Sequence, residues 1–251
     1  MAKKKRGFGR IFGAITGSPY ERLLKQVDKV VDEAGSDRAL AKTLRKLVKT
    51  VSQQYEEGNI DEEEHDLVIE AIEEVICQKS KGDILISTTG KTSRELYVVQ
   101  NKLGLSHNDL FVVGGMGHAA SLTLGVSLKS NKQNICLDGD GSLLMHAGSL
   151  GVVTKFGGKK FKYILLRNDS HESVGNQTTN SEHINYKMLS KSFGFRTYSL
   201  ITNEFNLKNV LKNFIKKSGP AFLEVRIKSG SINQLGRPKN LKIVKNKFMS
   251  K

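Results

Sequence analysis

Cysteine and proline are scarce in this chain: 2 Cys and 3 Pro among 251 residues. Cys77 falls in a helical pattern and Cys136 in a strand-like run. That placement builds neither a disulfide framework nor a zinc site, so a reducing compartment, the cytoplasm, is expected. So few prolines, with 38% hydrophobic and 26% charged residues, exclude a low-complexity or disordered chain. No apolar run reaches the roughly 18 residues that a membrane-spanning helix needs. Acidic residues are also outnumbered, 25 Asp+Glu against 40 Lys+Arg, for a net charge of +15. A balance of that sign makes nucleic acid the first partner to test against the sequence.

The location of the charge weakens that partner. Residues 1–80 hold 14 basic and 15 acidic side chains, whereas residues 81–251 hold 26 and 10. The composition shift sets an expected boundary near residues 78–82. It divides the chain into a basic tail (1–18), a helical segment (19–80) and a larger domain (81–251). Within the large domain, 228–251 carries seven basic residues and no acidic one. No nucleic-acid recognition module accompanies this charge, and the 6 Tyr and 11 Phe fall mostly in core patterns.

In the first 80 residues, apolar positions recur at helical spacing. Leu23, Leu24, Val27, Val30 and Val31 follow Pro19, and Gly35 closes the pattern. Leu40, Leu44, Leu47, Val48 and Val51 form a second stripe. A third helix is expected to begin around Asp61, where Glu62, Glu63 and Glu64 suit the positive end of a helix dipole. The acidic stretch 59–66 lacks the alternating ligands and central Gly of a calcium loop and reads as a solvated first turn. Phe8, Ile11, Phe12 and Ile15 follow a Lys/Arg cluster, but Arg10 interrupts that short apolar run, so a signal peptide is not indicated.

From residue 82 the pattern changes. Six short apolar runs, at 84–87, 110–113, 134–138, 163–167, 196–200 and 222–227, alternate with helical spacing at 93–102, 119–128, 143–156, 186–193 and 207–216. Such alternation predicts an α/β fold: a parallel sheet of about six strands with helices on both faces. Ligands of these sheets bind beyond the C-terminal strand ends.

Three of the loops there carry chemistry. Ser87-Thr88-Thr89-Gly90-Lys91-Thr92 imitates a phosphate-binding P-loop, but Leu85 stands where that motif needs its first Gly. Leu137-Asp138-Gly139-Asp140-Gly141-Ser142 ends one run and opens a helix. Gly139 and Gly141 admit a close ligand, the helix start offers free N–H groups to phosphate, and Asp140 is a hard oxygen ligand suited to Mg²⁺ or Ca²⁺ carrying a diphosphate. One strand–helix–strand unit later comes Arg167-Asn168-Asp169-Ser170, which brings Asn168 beside Asp140.

Gly139-Asp140-Gly141 followed by Asn168 resembles the thiamine-diphosphate motif, which runs from Gly-Asp-Gly to Asn-Asn. The segments 87–96, 115–119, 137–146, 171–175 and 235–238 resemble phosphonopyruvate decarboxylases, with sulfopyruvate decarboxylases as close relatives. The likeness spans roughly residues 82–240 and implies a thiamine-diphosphate-dependent carboxy-lyase acting on an anionic 2-oxo acid. By that resemblance Asp140, Asn168 and the Ser170 carbonyl would bind Mg²⁺, and Gly139, Gly141 and Ser142 the diphosphate. Gly114 and Met116 would address the aminopyrimidine end. His118 and His171 are candidate catalytic residues; for these and His146 a hydrogen-bonded structural histidine is the competing reading.

Two departures stand out. The family's Asn-Asn-Gly is here Arg167-Asn168-Asp169, which adds opposite charges that either pair or disturb the site. The family also takes an essential Glu from a separate pyrimidine-binding domain, on the order of 150 residues long. Residues 1–80 read as helices without that motif, so a partner chain in a hetero-oligomer is expected to supply it. The competing readings are a non-catalytic assembly subunit and a basic nucleic-acid-binding protein.

Overall fold

The computed structural model describes residues 62–80, 82–105, 109–231 and 235–250. The basic tail at 1–18 and the expected helices around 23–31 and 40–51 lie outside the described residues. Glu64–Lys251 is one compact unit.

Its sheet has six strands: β1 (Ile84–Ser87), β2 (Leu110–Phe111), β3 (Asn134–Gly139), β4 (Phe161–Arg167), β7 (Thr197–Ile201) and β8 (Ala221–Arg226). They lie in the order β2-β1-β3-β4-β8-β7, and every pairing is parallel. Two further strands, β5 (Ser170–His171) and β6 (Gln177–Thr178), form a small antiparallel hairpin. The central strands are buried along nearly their whole length, as parallel strands covered on both faces require.

Alternation along the strands divides the core in two. Leu85, Ile135, Leu137, Ile164, Leu166, Leu223 and Val225 pack on one face with α1 (Glu62–Gln78), α2 (Lys91–Lys102) and α7 (Leu207–Lys216). Ile86, Cys136, Tyr163, Leu165 and Phe222 pack on the other with α3 (Ala119–Ser127), α5 (Ser149–Phe156) and α6 (Tyr186–Phe193). Each fully buried aliphatic side chain contributes roughly 1.5–3 kcal/mol. α7 shows how sequence makes such a helix: Leu207, Leu211 and Phe214 recur on its buried face, with Lys and Asn between them. α6 is capped by Asn185, which accepts from the Met188 N–H, and stops at Gly194 in the left-handed region.

Several expectations shift in detail. The helical stretch 143–156 is two helices, α4 (Asp140–Met145) and α5, because His146 at φ −138° leaves the helix. α1 buries Ala71, Ile72, Val75 and Ile76 in the first core, so the compact unit begins upstream of the composition shift at 78–82. A last helix, α8 (Leu241–Met249), occupies part of the basic C-terminal stretch.

Candidate functional site

From β1 the chain steps outward to β2, then returns to place β3 on the other side of β1 and moves away through β4. The winding therefore reverses between β1 and β3, the point where parallel α/β sheets open a crevice at their C-terminal ends. A cavity lies there. Residues 88–92 line it after β1, residues 139–142 after β3, and Asn168 with residues 170–173 after β4; Met116, Glu95, Ile227 and Gly230 close its sides.

Asp140 begins α4 and is 2% exposed. Thr179, just beyond β6, donates its hydroxyl to Asp140 Oδ2 at 2.5 Å, so the β5–β6 hairpin folds over the α4 start. Burial raises the Asp140 carboxyl above its ordinary range, opposed by the Thr179 hydroxyl and the Gly141 N–H. No ion pair reaches it from the described residues. One step back, Asp138 accepts from Tyr163 Oη at 2.7 Å and from the Gly139 N–H at 3.0 Å, which fixes the backbone that aims Asp140.

Ser142 ties three loops together. Its hydroxyl lies 2.8 Å from Thr88 Oγ1 and accepts the Gly117 N–H at 2.9 Å. The loop after β1, the loop carrying Met116 and the α4 start are thereby held in register. The N–H groups of the first turn of α4 have no intrahelical acceptor, and residues 139–142 line the cavity. A side chain at Gly141 is excluded because its Cβ would lie 2.5 Å from His171 Cε1. His171 thus covers the Gly141 backbone.

Asn168 follows β4, and its Oδ1 accepts the Ser170 N–H at 3.1 Å, a local turn that presents both residues to the cavity. Ser170 Oγ is buried without a hydrogen-bond partner among the described residues. The flanking charges pair: Arg167 Nε lies 2.7 Å from Asp169 Oδ1, and an Arg167 terminal nitrogen lies 3.0 Å from Glu224 Oε1. Asp169 has φ +58°, a left-handed conformation that suits Gly and that Asp tolerates better than most residues. The substitution of Asp for Gly is therefore accommodated and electrically neutralised by Arg167.

Of the residues nominated from the sequence, Met116, Gly139, Asp140, Gly141, Ser142, Asn168, Ser170 and His171 all line this one cavity. Gly114 and His118 stand on the Met116 loop outside its lining. His118 is exposed, its Nδ1 lies 3.0 Å from the Met116 carbonyl oxygen, and its ring centroid is 4.5 Å from that of His146. Gly117 between them has φ +85° and no room for a Cβ, which would fall 2.2 Å from His146 Nδ1.

The structure adds residues without a readable spacing. Thr179 has no motif around it. Glu172 pairs with Lys91 Nζ at 3.3 Å and accepts the Gly230 N–H, and Ser229 Oγ donates to the Asn168 carbonyl at 3.3 Å. The segment after β8 is thus tied across the site. Among the described residues no three His, Cys, Asp or Glu side chains form a metal-binding group. At the ends of β3 and β4 the donor set is the buried Asp140 carboxyl, which no ion pair reaches from the described residues, with neutral oxygens from Asn168 and Ser170. That set fits a hard divalent cation whose remaining ligands come from a phosphate group.

The family model "Thiamine pyrophosphate enzyme, C-terminal TPP binding domain" matches residues 89–225. The chain is 33% identical over 171 residues to a phosphonopyruvate decarboxylase of Streptomyces viridochromogenes, covering 68% of this chain and 42% of the relative. It therefore spans less than half the length of that relative. Against the sulfopyruvate decarboxylase subunit beta of Methanocaldococcus jannaschii it is 31% identical over 147 residues, covering 57% of this chain and 76% of the relative. Among solved structures, a 2-oxoglutarate:ferredoxin oxidoreductase of Magnetococcus marinus shares the fold, with a TM-score of 0.53 at 13% identity, covering 67% of this chain and 64% of that one.

Proposed function

The chain belongs to the thiamine pyrophosphate enzyme family, and from that premise we propose that it is the diphosphate-binding subunit of a 2-oxo acid decarboxylase. In this reading it converts phosphonopyruvate to phosphonoacetaldehyde and CO₂ in a hetero-oligomer whose partner chain brings the pyrimidine domain and its Glu. The observation that carries the reading is the meeting of Asp140 and Asn168 at the ends of β3 and β4, which are paired in register up to Gly139 and Leu166. Asp140 is buried with no ion pair from the described residues, and Ser170 Oγ, on a residue of the same cavity lining, has no hydrogen-bond partner among them.

Asp140, the Asn168 side-chain oxygen and the Ser170 carbonyl would hold Mg²⁺. The Gly141 and Ser142 N–H groups would bind diphosphate oxygens, with Met116 supporting the ring end. Bound thiamine diphosphate supplies an electron sink for the electron pair released as CO₂ leaves. His171, lying over Gly141, would hold or pass a proton at the cation end of the site. His118, on the outer loop, is the candidate for contact with the anionic head of the substrate. Sulfopyruvate is a second substrate reading, favoured by the larger share of the sulfopyruvate decarboxylase subunit's length that the chain spans.

The test is thermal unfolding of the chain with a pyrimidine-domain partner. Thiamine diphosphate with Mg²⁺ at about 100 times its Kd should stabilise the wild type by about 2.7 kcal/mol. Asp140→Ala should show no such shift. A wild-type complex indifferent to the cofactor sinks the reading, and decarboxylation by the purified chain alone refutes the need for a partner.

A further inference from the structure

Glu95 is a charged residue of this cavity that the cofactor reading leaves without a task. It lies on α2, is 3% exposed and lines the cavity together with Asp140, Asn168 and Glu172. No hydrogen bond or ion pair reaches its carboxyl group from the described residues. The charged groups facing it are Glu172 from the loop beyond β5, and Lys91 and Arg94 from its own helix. Lys91 is engaged with Glu172, whose other oxygen accepts the Gly230 N–H. Glu172 is therefore the partnered acid of the two and Glu95 the unpartnered one. Burial first, and Glu172 second, push the Glu95 pKa up to about 7.

A diphosphate entering this space meets carboxyl groups from Glu95, Asp140 and Glu172, with Lys91 as the cation in the lining. A divalent cation answers Asp140, and Lys91 with the Gly230 N–H answers Glu172. An ionised Glu95 would have only the approaching anion. Protonated, the same group changes from a repelling acceptor into a donor. We propose that Glu95 is a cofactor-binding residue of this chain: in the loaded site it is the neutral carboxylic acid and donates its O–H to a diphosphate oxygen. The proton comes from solvent, so binding above neutral pH takes up one proton per cofactor. The proposal rests on the reading of the cavity as a diphosphate site.

The sign follows from the direction of the shift. An acid whose pKa is raised stays neutral up to the raised value, so the binding-competent form persists below pH 7 and is lost above it. Each further pH unit leaves about tenfold less of it. The experiment titrates thiamine diphosphate at saturating Mg²⁺ into the full chain with its pyrimidine-domain partner, from pH 6 to 9. Wild type, Glu95→Gln and Glu95→Leu are compared by thermal shift and by calorimetry in two buffers of different ionisation enthalpy. The Gln variant keeps a donor with no proton to lose. Its affinity relative to wild type should stay level near pH 6 and rise about tenfold for each unit above 7, as the acid form is depleted. Wild type should take up close to one proton at pH 8 and Glu95→Gln none, a difference that a purely structural role for Glu95 does not produce. Glu95→Leu should bind more weakly than Glu95→Gln throughout. Equal pH profiles and equal proton uptake in wild type and Glu95→Gln overturn the proposal while leaving the cofactor reading intact. If wild type binds no cofactor at any pH, both fall together.

Discussion

At the scale of single residues the decisive contacts are charged ones that spacing alone leaves open. Arg167 is 7% exposed and Glu224 1%, so their contact is a buried ion pair, extended by Arg226 at 3.0 Å from Glu224 Oε1 and by the Tyr198 hydroxyl. Removing one partner of such a pair strands the other, which typically costs 3–5 kcal/mol. Arg226 is half exposed and stays in place, so Arg167→Ala should cost about 3 kcal/mol, at the low end of that range. Combining it with Glu224→Gln should cost less than the two single changes added together, because the stranded charge is gone. Denaturant unfolding measures both, and a loss below about 1 kcal/mol for Arg167→Ala would mean that Arg226 neutralises Glu224 by itself. The sequence offered Arg167 and Asp169 as charges that either pair or disturb. Glu224, the group that decides between those outcomes, lies on a strand met only after two further helices. The meeting of Asp140 and Asn168 in one cavity was legible because both follow strand ends one unit apart. Thr179 and Glu95 were not, since a hydroxyl or carboxylate on a hairpin or helix acquires meaning only from what lies across the cavity.

At the scale of elements, strands buried on both faces were the easiest to read. The apolar runs at 84–87, 134–138 and 163–167 became β1, β3 and β4 with shifts of at most two residues at either end. The β5–β6 hairpin has two-residue strands, too short for any alternation to register. The C-terminal helix was hidden for another reason. Only Val244 and Phe248 of α8 are buried, while Leu241, Ile243 and Met249 are exposed, so its apolar positions trace no clean stripe. Its start is nonetheless defined by Asn240, whose side chain accepts the N–H groups of Lys242 and Ile243 at 3.0 and 3.2 Å. Val244 joins one core of the sheet and Phe248 the other. α8 therefore spans the edge at β2, a strand of two residues whose free side would otherwise be open to pairing. Asn240→Ala should cost about 1 kcal/mol as a lost cap. Phe248→Ala should cost about 3 kcal/mol and leave the slope of the denaturant transition unchanged. A Phe248→Ala variant as stable as wild type would show that α8 does not hold that edge.

At the scale of the whole molecule the charge and the site pull in different directions. The chain carries +15, yet the cavity lining sets Lys91 against Glu95, Asp140 and Glu172. The excess is therefore not concentrated where the cofactor would bind, and a local explanation through the diphosphate accounts for little of it. Distributed over residues 81–251, where 26 basic side chains face 10 acidic ones, it acts at long range. A field of that kind speeds encounter with an oppositely charged surface and is screened within about 8 Å at physiological salt. An acidic pyrimidine-domain partner is the macromolecule that this field and the proposed hetero-oligomer both call for. Association of the two chains, followed by stopped-flow, should then slow at least tenfold between about 20 and about 300 mM salt. Dissociation should change by less than about twofold, because contacts formed at short range are screened far less. If the association rate is independent of salt, or rises with it, the positive field has no part in assembly. A steep salt slope for duplex DNA at the same protein concentration would then reassign the charge to nucleic acid.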